Sequence, residues 1–240
     1  MPADALCLAI ETSNPSAQTG ASGEVALARC PDWADPVAPI VTLSCASLSP
    51  TARHDDALAP AIDRLFRDAS LRPTDLTRIA VSIGPGGFSA LRIATAAAKM
   101  IAEATGARCV GVPSALVAAG AEGLPPRFVV LLASKGESAW ATTFGSDGAE
   151  VGTLMEPADL AIVHRAAPLG ALVGDEHIPP GFRAWAQTSR VPIAPIVLTA
   201  GALLRASRGM PESGPDDLSP LYPREPEAVR KWRELGRSKR

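Results

Sequence analysis

Aromatic residues are scarce in this chain: four Trp, five Phe and one Tyr make up 4% of its 240 residues. Stacking of nucleic-acid bases depends on aromatic side chains, so this composition argues against a base-stacking platform. The formal net charge of -2 gives no general attraction to nucleic acid or membrane. Hydrophobic residues at 47% and charged residues at 20% instead indicate a globular chain, in one large domain or two small lobes.

Cysteine pairs and long apolar runs are also missing. Cys7, Cys30, Cys45 and Cys109 are far apart in the sequence and form no CxxC pair, which argues against a zinc or redox motif. Cys7, Cys45 and Cys109 lie in apolar stretches and are predicted to be small buried residues. No apolar run reaches the roughly 18 to 20 residues of a membrane span. The first residues lack the basic start of a secretion signal, so we expect a cytoplasmic protein.

The first half of the chain alternates between strand and helix patterns. Residues 55–70 carry apolar side chains at helical spacing, and Pro60 within them is expected near the helix start. A second helix follows a glycine cluster and extends to about residue 104. Strand patterns occur before, between and after these helices, at 6–10, 24–28, 39–46, 78–83 and 109–112. This order predicts an α/β fold with a mixed sheet and helices on its faces.

The second half repeats this pattern in a shorter and weaker form. A strand pair is predicted around Lys135-Gly136, helices in "PADLAIVHR" and "VLTAGALLRASR", and a short strand in "GALVGD". We therefore predict a first lobe at 1–112, a reduced second lobe at 113–223 and a basic tail at 224–240. The tail has seven basic and three acidic residues. It is either a solvated helix end or a contact for RNA phosphate or an acidic partner.

The glycine cluster "GPGGFSALR" lies between a strand and a helix, as many phosphate-binding loops do. A P-loop needs a lysine directly after its glycines, but the first lysine is Lys99. A dinucleotide-binding motif fits Gly84 and Gly86, but Ser89 stands where its third glycine belongs. The free amides of the helix start could still accept an anion. The other interpretation is a structural turn, whose glycines have backbone angles closed to other residues.

The helix after the glycines carries small side chains on one face and larger apolar side chains on two others. Such a helix is either deeply buried or packs on both its own sheet and another chain. Together with the 55–70 helix, it could supply half of an intermolecular four-helix bundle. The predicted partner-facing residues of the two helices are Leu58, Ile62, Leu65, Phe88, Leu91, Ala94, Ala97, Ala98 and Ile101.

Four stretches resemble the bacterial TsaB family, also called YeaZ. They are "LAIETS", "HDDALAPAIDRLFRDASL", "IAVSIGPGGFSALRIATAAAKMIAEATGARCVGVPS" and "LYPREPEAVRKW". The resemblance is strong over residues 6–114, weak through the middle, and returns near the C-terminus. Glu11 replaces the family's usual Asp, and "LLASKGES" stands where the family often has an acidic string. The stretches at 14–24 and 30–39 look like insertions.

The resemblance implies an actin-like, sugar-kinase-like and Hsp70-like fold, called the ASKHA fold. It also implies a non-catalytic partner of TsaD, which acts with TsaE and the separate enzyme TsaC. These proteins form N6-threonylcarbamoyladenosine (t6A) at adenosine 37 of tRNAs that read codons beginning with A. On this view the chain needs no cofactor, can form a homodimer in isolation, and meets tRNA only through the complex. A structural turn, or the remnant of a phosphate site, would consist of Glu11, Thr12, Ser13, Gly84, Gly86 and Gly87.

Independent catalysis is not favoured by the sequence. A kinase or ATPase of this fold needs acids in both lobes to hold magnesium. The first lobe offers Glu11, whereas Asp175 in the second lobe is predicted to lie in a turn. His54, His164 and His177 lack the spacing of helical metal ligands, and no nucleophile–base pair stands out. We therefore expect neither a metal site nor an enzyme; the alternative is a stand-alone ATPase or small-molecule kinase of the same fold.

Overall fold

The computed structural model describes residues 5–13, 22–35, 37–49, 54–224 and 232. For residues 54–56 it describes the backbone alone. Most of the predicted basic tail, including Arg230, Lys231 and Arg233, therefore lies outside the described residues. So do residues 14–21 of the first insertion-like stretch and the side chain of His54. Within the described part of the chain, no helix is long and apolar enough to cross a bilayer.

The elements of the first half, in chain order, are β1 (Ala5–Glu11), β2 (Glu24–Cys30), β3 (Val41–Ser47), α1 (His54–Asp68), β4 (Arg78–Gly84), α2 (Phe88–Thr105) and β5 (Arg108–Pro113). A short helix, α3 (Ser114–Ala119), follows directly. The strands form a five-stranded sheet in the order β3-β2-β1-β4-β5. The pairs β1–β2 and β2–β3 are antiparallel, whereas β1–β4 and β4–β5 are parallel.

The second half repeats this connectivity. Its elements are β6 (Phe128–Lys135), β7 (Ser138–Gly145), β8 (Gly148–Ala149), β9 (Thr153–Met155), α4 (Pro157–Ala166), β10 (Ala171–Gly174), α5 (Pro180–Ser189), β11 (Ile193–Pro195) and α6 (Ala200–Ala206). The pair β6–β7 is antiparallel, and β6–β10 and β10–β11 are parallel. The short strands β8 and β9 both pair with β7. The predicted fold of two related mixed sheets flanked by helices, the second reduced, is confirmed.

Alternation along the strands divides the core into three layers. In β1, Cys7 and Ala9 face a layer that also contains α3, α6 and the inner face of the second sheet. Their neighbours Leu8 and Ile10 face the opposite side, against α1 and α2. The outer face of the second sheet packs against α4 and α5. Because side chains on a strand alternate between faces, one strand serves two apolar layers.

The predicted lobe boundary near residue 113 lies between β5 and α3. However, α6 of the second half packs on β1 and β2 of the first. The two sheets therefore share their central layer, and the division into 1–112 and 113–223 stays a prediction.

Two local expectations are corrected. Pro60 lies inside α1 rather than near its start, because the helix already begins at His54. Leu58, Ile62 and other apolar residues of α1 pack on the sheet, and this packing holds the helix despite the missing amide of Pro60. Cys45 is exposed, because β3 is the edge strand and has a neighbour on one side only. Cys7 and Cys109 are buried as predicted.

Candidate functional site: the glycine turn and the outer face of α2

The glycine turn packs directly on the end of the first strand. The Gly87 amide donates a hydrogen bond to the Ser13 carbonyl at 2.6 Å. A Cβ on Gly86 would lie 1.8 Å from that same carbonyl oxygen, so only glycine fits there. Gly84 has φ of +97°, and a Cβ on it would also lie 2.6 Å from Leu91 Cδ1. Gly84 therefore has a backbone conformation that other residues rarely adopt, as predicted for the glycines of this turn. Gly87 does not, because its φ is an ordinary -63°.

Two sequence-distant segments meet at this turn. Thr12 Oγ1 donates to the carbonyl of Ala90 in the first turn of α2 at 3.4 Å. Residues Glu11–Ser13 and the glycine turn therefore form one packed junction. The Gly87 amide at the start of α2 is engaged by protein rather than open to a phosphate. This geometry favours the structural interpretation of the turn.

Glu11 is completely buried beside this junction. Its Oε1 accepts hydrogen bonds from the Ser13 amide at 2.8 Å and from the Ser13 hydroxyl at 2.6 Å. Its Oε2 has no hydrogen-bond partner among the residues that the structure describes. Burial raises the pKa of the Glu11 carboxyl above its ordinary value, although the two bonds from Ser13 lower it. A raised pKa disfavours the charged carboxylate form, which is the form that magnesium prefers as a ligand.

Glu24 lies directly opposite Glu11 in the β1–β2 pair. Its Oε2 accepts a hydrogen bond from the Ala200 amide at 2.6 Å, at the start of α6. The Ser82 and Ser114 hydroxyls lie 3.0 Å apart, and both residues are buried. The polar groups at this end of the first sheet therefore join β2 to α6 and β4 to α3. Sequence reasoning did not find Glu24, because its partner is 176 residues away.

The C-terminal segment crosses the glycine turn. The Leu221 amide donates to the Ile83 carbonyl at 2.7 Å, and the Tyr222 ring lies 5.1 Å from the ring of Phe88. Arg224 donates to the carbonyls of Ala133 and Ser138 and to the Ser138 hydroxyl. Tyr222 and Arg224 belong to the terminal stretch that resembles the TsaB family. They join the glycine turn to the β6–β7 hairpin.

The small-residue face of α2 points inward, which corrects the expected partner surface. Ala94 and Ala98 are fully buried in the layer between α2 and the first sheet. Their small size brings the helix close to its own sheet rather than to another chain. Six of the nine predicted partner residues are buried within this chain and expose little or no surface to a partner: Leu58, Ile62, Leu65, Leu91, Ala94 and Ala98.

A different face of α2 is open to solvent. Phe88 is 47% exposed and Met100 is 72% exposed, while Ala97 and Ile101 are partly buried. An apolar groove of about 360 Å³ lies between α1 and α2, and Asp63 is its one charged lining residue. The groove is lined by Ala59, Ile62, Asp63, Phe66, Pro73, Ala97, Met100 and Ile101. We call this surface the α1–α2 groove. A partner role stays a prediction for its outward residues and for Phe88.

The remaining candidates whose side chains the structure describes, Asp175, His164 and His177, make local contacts. Asp175 lies in a turn after β10, as predicted, and its carboxylate is 3.6 Å from His177 Nδ1. With Glu176 these consecutive residues form the one potential metal-ligand group found among the described residues. Two of the three are exposed, and such acidic groups are common without a metal. His164 Nδ1 instead accepts a hydrogen bond from the Leu169 amide at 3.0 Å, which is a structural role.

Comparison with known sequences finds a partial likeness to an enzyme family. The sequence model of the TsaD family, tRNA N6-adenosine threonylcarbamoyltransferase, matches residues 49–159. The enzymes of that name from two strains of Thermus thermophilus are each 38% identical to this chain over 88 residues. That alignment covers 35% of this chain and 27% of each enzyme. The chain thus spans about a quarter of the length of the curated relatives it matches.

Comparison with solved structures finds a likeness over nearly the whole chain. YeaZ from Pseudomonas aeruginosa superposes with a TM-score of 0.66 at 18% identity, covering 91% of this chain and 99% of YeaZ. A further structure from that organism, described as similar to the peptidase YeaZ, gives 0.66 at 19% identity, covering 92% and 100%. The chain therefore has the predicted ASKHA fold in its YeaZ form, and these findings are consistent with the TsaB (YeaZ) family.

Proposed function

We propose that the chain is a non-catalytic subunit that binds TsaD and supports t6A synthesis in the cytoplasm. The YeaZ-like fold and the TsaD-like stretch at 49–159 support involvement in t6A synthesis. The observation that carries the binding role is the α1–α2 groove, whose lining is apolar except for Asp63. Exposed contiguous apolar patches mark interaction sites on soluble proteins.

The groove has the properties of a helix-docking surface. Met100 is unbranched and largely exposed, so it can adapt to a partner side chain. Ala97 leaves space for close approach, and Ile101 adds apolar area beside it. Two helices from each chain would bury roughly 1,200 to 2,000 Å², the standard range for a specific interface. The same surface would serve a homodimer when TsaD is absent, because a two-fold interface needs only self-complementarity.

The geometry of the glycine turn supports this proposal over a stand-alone ATPase or kinase. Such an enzyme must hold phosphate groups and magnesium between its two halves. Here the Gly87 amide is engaged by Ser13, and Glu11 is buried with a raised pKa. At the matching strand end of the second half, the sequence is Ala133-Ser134-Lys135. In the proposed complex TsaE is a further partner, and tRNA contacts this chain only through the assembly.

The test is reconstitution with the TsaD of the same genome. We expect a complex of the purified proteins on size-exclusion chromatography with light scattering. Met100→Glu places a charge in the groove and should weaken binding by about tenfold or more, because a buried unpaired charge is costly. Ile162→Glu is the matched control: Ile162 is 64% exposed on α4, outside the groove, and the change should leave binding intact.

Activity separates the two candidate functions. Mass spectrometry of tRNA should detect t6A only when TsaC, TsaD and TsaE are mixed with this chain. Met100→Glu should lower that yield, while Ile162→Glu should not. Undiminished TsaD binding by Met100→Glu would contradict the groove as the docking surface. ATP hydrolysis by the chain alone, lost on substitution of Glu11, would favour the stand-alone enzyme instead.

A further inference from the structure

A second cavity lies at the opposite end of the first sheet from the glycine turn. It has a volume of about 430 Å³, within the range of small-molecule sites. Its walls are the 31–34 loop, the first residues of β1 and β4, and residues 209–212. The 31–34 loop belongs to the insertion-like stretch at 30–39, which the proposed function leaves without a role.

The cavity contains a buried guanidinium. The side chain of Arg78 is 5% exposed, and its Nη1 lies 2.6 Å from Glu212 Oε1. Its Nη2 donates to the Ser207 carbonyl at 2.7 Å, and its Cζ lies 5.3 Å from the ring centre of Trp33. Its buried Nε has no hydrogen-bond partner among the described residues. Arginine keeps its charge in proteins, so this position requires an anion beside it.

The two partners of this ion pair differ in exposure. Arg78 is fixed inside the fold, whereas the Glu212 side chain is 41% exposed. Glu212 also lies outside any helix or named strand, in an extended stretch of the chain. The cation is therefore a permanent part of the site, and its anion can move into solvent without breaking the core.

We infer that this cavity is an anion site for a small organic monocarboxylate, which displaces the Glu212 carboxylate from Arg78. Trp33, Met210 and Pro31 supply apolar wall for the hydrocarbon part of such a ligand. Asp32 also lines the cavity, and its charge disfavours ligands with two or more negative charges. A single carboxylate with an apolar body fits both conditions.

Glu212 acts as a tethered competitor for this site. A tethered group competes at an effective concentration on the order of millimolar or higher, so the free ligand binds the native chain weakly. Removal of Glu212 leaves the buried Arg78 without its ion-pair partner. We therefore expect Glu212→Ala to lose stability and to bind benzoate at least tenfold more tightly than the native chain does.

The experiment uses the full chain and benzoate as the probe. Thermal unfolding and calorimetric titration are measured in benzoate, phosphate and chloride at equal ionic strength. Benzoate should restore the stability of Glu212→Ala, and phosphate and chloride should not. Glu122→Ala, at an exposed position outside the cavity, is the matched control and should show no benzoate response beyond that of the native chain.

A double variant tests whether Arg78 is the receptor. Arg78→Met with Glu212→Ala removes both charges together, which avoids leaving one buried alone, and should abolish the benzoate response. The inference is overturned if Glu212→Ala responds equally to benzoate and chloride, or if the double variant still responds to benzoate. An equal response to phosphate would overturn the ligand class. TsaD binding should be unchanged in Glu212→Ala, so this result is independent of the proposed function.

Discussion

The two halves of the chain share one strand connectivity, but they differ in the structure at the end of their first strand. In the first half, β1 ends at a buried Glu11-Thr12-Ser13 stretch, and the glycine turn packs on it. In the second half, the matching strand β6 ends at Ala133-Ser134-Lys135, which is partly to fully exposed. Ala133 has φ of +48°, and the β6–β7 register shifts at this point. The end of β1 is covered by the glycine turn, and we call it the closed end. The end of β6 continues into the partly exposed β6–β7 hairpin, and we call it the open end.

The two halves also differ in the exposed apolar surface of their helices. The strand after the crossover in the first half, β4, leads through the glycine turn into α2, which has 18 residues. Its counterpart β10 leads through the exposed turn at Asp175 into α5, which has 10 residues. The longer helix covers its sheet and still presents an apolar outer face beside α1. The same topology therefore gives a packed junction with an apolar groove beside it in the first half, and a shorter helix in the second half.

The largest expected effect comes from breaking the closed end. Gly86→Val places side-chain atoms where the Ser13 carbonyl lies, so we expect a loss of about 3 kcal/mol or more in unfolding free energy. Urea unfolding followed by circular dichroism measures it. Gly201→Ala, in α6, is the control: its nearest neighbours would be 3.8 Å away, and it should be neutral or stabilising by up to about 1 kcal/mol. Similar stability of both variants would contradict the packed junction.

The next effect separates the inner and outer faces of α2. Ala94→Trp inserts a large ring into a fully buried position and should destabilise the chain by about 3 kcal/mol or more. Ala97→Trp lies at the α1–α2 groove, so the chain should stay folded and lose TsaD binding and self-association. Thermal unfolding and light scattering measure the two outcomes. If both variants unfold alike, the outer face is not free; if Ala97→Trp binds normally, the groove is not the docking site.

A smaller effect comes from loosening the open end. Arg224→Ala removes the hydrogen bonds to the Ala133 and Ser138 carbonyls, and we expect a loss of about 1–2 kcal/mol. Hydrogen exchange should increase at the β6–β7 hairpin, while the interior of β1 should change little. Arg165→Ala, on the exposed face of α4, should leave both regions as they are. Faster exchange spread evenly over both sheets would show that Arg224 acts on the whole fold.

The smallest expected effect is a change in pH dependence. Because burial raises the pKa of Glu11 in the folded chain, the folded state holds this proton more tightly than the unfolded state. The resulting stabilisation is complete below the ordinary pKa of a glutamic acid and is lost as the pH rises through the raised value. Glu11→Gln should flatten this decline, because glutamine has no proton to lose. Denaturation curves across the acid-to-neutral range test it, and parallel curves for both proteins would rule it out.

The sequence predicted the architecture well where periodicity was strong. The order of β1 to β5 with α1 and α2, and the β6–β7 pair, followed from apolar patterns that each extend over several residues. It did not reveal α5, and it did not reveal the six-residue α3 or the two- and three-residue strands, which carry little periodicity of their own. Their position is set by the sheet that they complete.

For the site, the sequence supplied candidate residues but not their orientation. Glu11, Ser13 and the glycines were grouped because of the family resemblance, and in the structure they lie at the ends of β1 and β4, which are neighbouring parallel strands. The direction of the alanine face of α2 was wrong, since small residues permit close approach to an internal sheet and to an external helix alike. Distant pairs such as Arg78–Glu212 and Glu24–Ala200 have no local signal in the sequence.

The C-terminal segment also determines when the first sheet can be finished during synthesis. Ser213 bridges to Cys109, Glu212 pairs with Arg78 across 134 residues, and Leu221 bonds the strand before the glycine turn. The ribosome releases these residues after all of both sheets. The first sheet therefore cannot complete its contacts until the second half has left the ribosome, and part of its surface stays uncovered until then. Contacts of such long sequence separation slow folding. We therefore expect the chain to fold as a unit rather than lobe by lobe.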